Sequence, residues 1–177
     1  MKHTIHQGYD LQLMYDLQGT YPYKRTEALK EISRSAIEVA EKIKKHYEGP
    51  ITMVSAPRTS KGKEQDNVAT LLATILKLRN EGKNVFNQLP IIRSIDLTVE
   101  SNHNAFTKAH RHDPFKELFA SGLIKSIKYV HDWHISSGCR WEYEAAEKYG
   151  IKREILPKDF LNEEDYSKLE RFMAHHR

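Results

Sequence analysis

The stretch that decides the fold is residues 51–89, ITMVSAPRTSKGKEQDNVATLLATILKLRNEGKNVFNQL. Its first residues, Ile51–Ala56, form an apolar run that predicts a short buried strand. After a polar loop, residues 67–81 carry apolar side chains at helical spacing, and residues 83–89 predict a second strand. A strand, a helix and a strand in this order predict a βαβ unit with parallel strands and a right-handed crossover.

The rest of the chain continues this alternation in both directions. Toward the N-terminus, Thr26–Tyr47 predicts an amphipathic helix that Thr26 could cap. Toward the C-terminus, the pattern predicts helices at 114–123, 139–149 and 161–177 and strands at 127–131 and 151–156. We therefore expect an α/β fold, a Rossmann-like (flavodoxin-like), mostly parallel sheet flanked by helices, with an N-terminal helical extension.

Three regions follow from this pattern. We expect an N-terminal helical extension at 1–48, an α/β domain at 49–160 and a C-terminal helical tail at 161–177. Residues 91–112 are polar and rich in histidine, and we interpret them as an insertion or lid near the site. Within them, Ile95–Val99 is a candidate strand.

Composition limits the classes of function. The 177 residues suit one compact domain, and a hydrophobic share of 39% excludes wholesale disorder. The apolar runs are too short to span a membrane, no secretion signal is evident, and the single Cys139 cannot form an internal disulfide, so we expect a cytoplasmic protein. The net charge of +4 comes from basic residues spread among acidic ones, which argues against dedicated nucleic-acid binding.

Two loops are expected to form the site, because open parallel sheets bind ligands beyond the carboxyl ends of their strands. They are Pro57–Asp66 and Asp132–Gly138. In the second loop, Ser136, Ser137 and Gly138 lie where a strand gives way to a helix, and hydroxyls and free N–H groups there could bind an anion. Either serine could equally cap the helix, a role that is compatible with ligand binding.

Glu142 is the candidate reacting group. It lies one turn into the helix that follows the second loop, so its carboxylate can reach the same edge of the sheet and act as nucleophile or general base. The alternative is that a glutamate near a helix N-terminus only stabilises the helix dipole. Glu144 is the rival carboxylate, but it lies about 200° further around the helix, so only one of the two can face the site.

A spaced motif adds a family resemblance. Gly138, Glu142 and Ala146 form Gly-x-x-x-Glu-x-x-x-Ala after a strand, which is similar to the signature of the nucleoside 2-deoxyribosyltransferase-like superfamily. This group includes the deoxyribosyltransferases and the nucleoside 5'-monophosphate N-glycosidases. Ser55–Arg58 after the first strand fits the same order, and the resemblance covers about residues 51–156. It implies cleavage or transfer at an N-glycosidic bond, with Glu142 as nucleophile or as stabiliser of the sugar cation.

The resemblance also implies the substrate and its contacts. Deoxyribosyltransferases carry an aspartate where this chain has Ser136, whereas the N-glycosidases carry a serine that contacts phosphate, so a nucleoside 5'-monophosphate or nucleoside is expected. Arg58 could pair with the phosphate or hold the base, although alone it would be interpreted as a surface arginine. The further candidate contacts are Ser55, Pro57 and Asp113, with Ser137 and Gly138 from the helix start. His134 is a candidate because it lies in the second loop, where it could stack on the substrate or transfer a proton. No cofactor and at least a homodimer are expected.

Two other classes of function stay open. The same fold could serve as a non-catalytic nucleotide-binding or regulatory module, because function lies in the site and not in the fold. A metal-dependent hydrolase could use His110, His112, His131, His134 and Cys139, but their spacing matches no compact zinc pattern, and surface or loop histidines are expected. Trp133, Trp141 and Tyr143 are candidates either to stack on a base or to line the core.

Overall fold

The computed structural model describes residues 25–60, 62–100 and 108–175. The helices are α1 Arg25–His46, α2 Glu64–Asn80, α3 Leu89–Glu100, α4 Asp113–Ala120, α5 Ser137–Lys148 and α6 Glu163–Ala174. The strands are β1 Ile51–Ser55, β2 Asn84–Phe86, β3 Ile124–Tyr129 and β4 Lys152–Ile155. Short 3-10 helices cover Lys108–His112 and Trp133–Ile135. Within these ranges, no helix has both the length and the apolar character that a membrane crossing requires.

The four strands form one parallel sheet in the order β2-β1-β3-β4, which confirms the expected Rossmann-like α/β fold. In the β3–β4 ladder, Ser126 lies opposite Lys152 and Tyr129 lies opposite Ile155. From the central pair, the chain runs from β1 outward to β2 and from β3 outward to β4. The carboxyl ends of β1 and β3 therefore form the switch point at which open α/β sheets bind ligands.

The chain folds into two compact units. The first combines the residues up to Ile51 with Phe86–Ile124, and in it α1 packs against α4 and α3. Helical spacing explains this packing, since the buried residues of α1 recur every three or four positions, at Ala28, Leu29, Ile32, Ala36, Val39, Ala40 and Ile43. The apolar face predicted for the first helix is thus covered within its own unit.

The second unit combines Thr52–Val85 with the chain from Lys125 onward. In it α2 packs against α6, and Lys77 of α2 donates hydrogen bonds to Asp165 Oδ2 at 2.9 Å and to the Phe160 carbonyl oxygen at 2.7 Å. Asn162 and Asp165 begin α6 with reciprocal side-chain to backbone bonds, a capping box. These contacts fix the chain that follows β4.

One predicted element is wrong, and several boundaries move. Ile95–Val99 lies inside α3 and is not a strand, because Ile91, Ile95 and Val99 recur every four residues and are buried along one helix face. Thr26 lies inside α1, which already begins at Arg25. Of the extension expected at 1–48, residues 1–24 fall outside the described residues, as do residues 101–107 of the segment 91–112. The domain boundaries at 48 and 160 stay predictions.

Candidate functional site

The two central strands end on buried side chains. Ser55 is the last residue of β1 and Tyr129 the last of β3, and both have 0% exposure. The Val130 N–H donates to the Ser55 carbonyl oxygen at 3.0 Å, which holds the two strand ends together. A hydroxyl from each strand is therefore enclosed at the switch point.

Glu142 reaches this point from α5. Ser136 caps that helix, because its Oγ accepts a hydrogen bond from the Cys139 N–H at 3.4 Å, and the helix begins at Ser137. Glu142 then falls in the second turn, where Ser55 Oγ donates to its Oε2 at 2.5 Å. The structure thus brings together two predicted site residues from separate elements.

The surroundings of Glu142 change its acidity. Burial raises the pKa of Glu142 from 4.5 to about 7, although the hydrogen bond from Ser55 acts in the opposite direction. Part of the residue remains accessible to solvent, while its carboxylate end is closely surrounded by protein. A carboxylate with a pKa near neutrality can gain or lose a proton near neutral pH, which is typical of reacting groups.

Two more titratable groups lie in the same cluster. Burial raises the pKa of the Cys139 thiol to about 11, and the nearby Glu142 adds to the rise. The thiol therefore stays protonated near neutral pH and is a poor nucleophile or metal ligand. Burial also raises the pKa of Tyr129, again with a contribution from Glu142.

The aromatic residues of the second loop pack on one another. The rings of Trp133 and Tyr143 stack at 4.3 Å between centroids, with 16° between their planes. The Arg153 guanidinium lies over the Tyr143 ring at 4.3 Å from its centroid. Tyr143 is half-buried, and because Trp133 and the Arg153 guanidinium lie against its ring, no ring face is left for a base.

A cleft of about 420 Å³ opens at the switch point. Ala56 and Val130, which directly follow the buried Ser55 and Tyr129, belong to its wall. The remaining wall comes from the segments after β1, β3 and β4 and from α2 and α6, namely Pro57, Gly62, Lys63, Asp66, Asn67, Thr70, Thr74, His131, Asp132, Leu156, Pro157, Lys158, Phe160, Leu161 and Tyr166. Of the predicted site residues, Pro57 is in this wall and Glu142 is not.

The predicted phosphate contacts have separate local roles. Arg58 Nε lies 3.5 Å from Glu64 Oε1, and the Arg58 carbonyl oxygen accepts a hydrogen bond from Asn67. Ser137 is exposed at the first position of α5. At Gly138 an added Cβ would lie 3.7 Å from Ser136 Oγ, an ordinary contact, so the fold itself does not require glycine there.

The last two predicted contacts lie elsewhere in the chain. Asp113 is in the first unit, at the start of α4, where its Oδ1 accepts a hydrogen bond from Lys116 at 2.7 Å. His134 is exposed, and its carbonyl oxygen accepts a hydrogen bond from Arg140 at 2.6 Å. The substrate roles of Asp113 and His134 stay predictions.

The described part of the chain contains no metal-binding cluster. Across residues 25–60, 62–100 and 108–175, no group of three or more His, Cys, Asp or Glu could hold an ion. Of the histidines considered as metal ligands, His131 has its Nε2 at 3.8 Å from Asp132 Oδ1, which is a single pair of groups.

Sequence reasoning missed Tyr129 and the cleft residues of α2. Tyr129 ends β3, in which buried residues alternate with more exposed polar ones, and an aromatic residue at a buried position there is ordinarily core, so the sequence did not mark its hydroxyl as functional. Asn67, Thr70 and Thr74 recur at helical spacing along one side of α2, next to its buried apolar residues, and this polar stripe was a usable signal.

Comparison of the chain with protein-family models, with curated proteins and with solved structures gives no match. The likeness of residues 51–156 to the deoxyribosyltransferase-like proteins therefore remains a resemblance. What the site can do follows from this chain's own residues and their geometry.

Proposed function

We propose that the chain cleaves or transfers the N-glycosidic bond of a nucleoside 5'-monophosphate or nucleoside, with Glu142 as the reacting carboxylate. The observation that carries this proposal is the contact of 2.5 Å between Ser55 and Glu142 at the ends of the central strands. It joins the two ends of the sequence pattern, the loop after β1 and the motif in α5, in one buried cluster. The motif resemblance supplies the type of reaction.

The chemistry requires a negative charge beneath the sugar. As the N-glycosidic bond breaks, its electron pair leaves with the base and positive charge develops on the anomeric carbon. An ionised Glu142 can attack that carbon or stabilise the cation, and the buried position strengthens the interaction. Ser55 holds Oε2, which leaves Oε1 to face the sugar. Water or a second base then accepts the sugar, giving hydrolysis or transfer.

The cleft supports a nucleotide as the substrate. Pro57, Leu156 and Phe160 give it apolar surface for a base, while Lys63 and Lys158 are exposed cations in its wall. A charge-assisted contact to phosphate contributes about 1.5–3 kcal/mol, so monophosphates should bind roughly tenfold to a hundredfold more tightly than nucleosides. Equal affinities for a nucleoside monophosphate and the matching nucleoside in calorimetry would contradict the proposed phosphate contact.

The proposal is tested by incubating the protein with a panel of nucleosides and nucleoside monophosphates and measuring free base by chromatography. We expect one or more substrates to release base with the wild-type chain and none with the Glu142→Gln variant. Failure of every substrate, with and without an acceptor base, would contradict the proposal.

A second candidate function is a non-catalytic nucleotide-binding module. It is favoured by one observation, that Glu142 does not line the cleft. In that case, calorimetry would detect nucleotide binding without base release, and the Glu142→Gln variant would bind as tightly as the wild type. Loss of turnover in that variant excludes this candidate.

We further propose that the chain is at least a homodimer, as the family resemblance implies. The apolar face of α1 no longer supports this, because α3 and α4 already cover it. A particle of 20.7 kDa in light scattering at micromolar concentration would contradict the dimer. A cytoplasmic location stays a prediction.

A further inference from the structure

Tyr129 carries a buried polar group that the proposed mechanism does not use. The residue ends β3 and has 0% exposure. Within the described part of the chain, its hydroxyl has no hydrogen-bond partner. Native proteins rarely leave a buried hydroxyl unpaired, so such a group calls for a physical explanation.

The surroundings of Tyr129 point to Glu142. Its ring contacts Tyr143, the neighbour of Glu142 in α5, edge to face at 5.2 Å between centroids. Burial is the main cause of the raised pKa of the Tyr129 hydroxyl, and among the titratable groups around it Glu142 has the largest effect, with smaller ones from Cys139 and Arg153. From β1, the Ser55 hydroxyl already donates to Glu142 Oε2. Among the described residues, the Tyr129 hydroxyl is therefore a buried donor without an acceptor, packed under the helix that carries Glu142, and the Glu142 carboxylate holds only one donor, Ser55.

We propose that Tyr129 is a positioning residue for Glu142, whose hydroxyl becomes the second hydrogen-bond donor when the carboxylate ionises. An ionised carboxylate accepts at both oxygens, whereas a protonated one uses one of them as a donor. Two donors, Ser55 and Tyr129, would fix the plane of the carboxylate and still leave a lone pair for the sugar. This inference rests on the proposed function, since it gives Tyr129 a role toward the reacting group.

The inference predicts a pH-dependent effect of Tyr129→Phe. At pH 5 Glu142 is protonated, so removal of an unpaired hydroxyl leaves the urea midpoint unchanged or raises it. At pH 8.5 the carboxylate is ionised and loses a charge-assisted donor, so the midpoint falls below that of the wild type. The pKa of Glu142 should move upward by about one pH unit, because a hydrogen bond to the charged form lowers the pKa.

The experiment measures urea midpoints of the wild type and Tyr129→Phe at pH 5 and pH 8.5, and repeats both in a Glu142→Gln background. We expect a loss at pH 8.5 that vanishes in that background. The control is Tyr166→Phe, whose hydroxyl lies 3.2 Å from Thr70 Oγ1 and should give the same change at both pH values. An equal effect of Tyr129→Phe at both pH values, or a loss that persists in the Glu142→Gln background, overturns the inference.

The stability measurement needs no substrate, so the two proposals can fail separately. If Tyr129→Phe shows the coupling but the wild type releases no base, the proposed function fails and the hydrogen bond stands. If base release depends on Glu142 while the Tyr129→Phe effect is independent of pH, the positioning role fails and the proposed function stands.

Discussion

Replacing Glu142 by glutamine is expected to make the protein more stable than the wild type at alkaline pH. In the folded chain the pKa of Glu142 is raised from 4.5 to about 7. The folded chain favours the protonated carboxyl group of Glu142. The contribution of this group to the free energy of unfolding is therefore fully present below about pH 4.5 and is lost as the pH rises through 7. A pKa unit corresponds to about 1.36 kcal/mol, so the loss in the wild type amounts to roughly 3 kcal/mol. Glutamine keeps the volume and cannot ionise, so the variant escapes this loss.

Urea denaturation between pH 4.5 and 8.5 measures this difference directly. The free energy of unfolding of Glu142→Gln, minus that of the wild type, should grow with pH and level off above about pH 8. Glu144→Gln is the matched control, because its side chain is exposed on the same helix and the difference should stay near zero. Parallel pH curves for the wild type and Glu142→Gln would refute the reasoning about burial.

Three further predictions concern single contacts. Gly138→Ala should leave the melting temperature unchanged or raise it slightly, since alanine suits a helix better than glycine and its Cβ makes an ordinary contact at 3.7 Å. Under the proposed function, the added methyl group should weaken nucleotide binding in calorimetry. A large drop in melting temperature would contradict the packing argument. Ser55→Ala removes a donor to Glu142, so the pH profile of kcat/KM should move to higher pH, and an unchanged profile would contradict the hydrogen bond. Lys77→Met should destabilise the protein by about 1–3 kcal/mol in urea denaturation, because the Asp165 carboxylate loses its charged donor and keeps only the Asn162 backbone N–H; no loss would show that the Lys77–Asp165 pair is solvated.

The elements of the sheet were predictable because strands and helices differ in their apolar period. Ile51–Ser55 is a mostly apolar and fully buried run, and α2 carries apolar residues at helical spacing between Gly62 and Gly82. The helix α3 was missed because Ile95–Val99 also alternates as a strand does, and its burial at Ile91, Ile95 and Val99 depends on tertiary packing that a short window does not contain.

Only the part of the site that follows from the order of the strands could be predicted from the sequence. Ser55 ends β1 and Glu142 lies in the helix that follows the neighbouring strand β3, so parallel pairing brings both to one edge of the sheet. The covered faces of Tyr143 and the enclosed hydroxyl of Tyr129 depend on how α5 rotates against β3. No local pattern encodes that rotation, so neither feature could be derived from the sequence.

The most direct test of the central claim compares two carboxylate variants on one nucleoside monophosphate that the wild type cleaves. Measured by free base, Glu142→Gln should lose at least about a hundredfold in kcat/KM, because the amide lacks the charge that the transition state requires. Glu144→Gln, exposed on the same helix, should stay close to the wild type. An inactive Glu144→Gln beside an active Glu142→Gln would contradict the assignment of the reacting carboxylate.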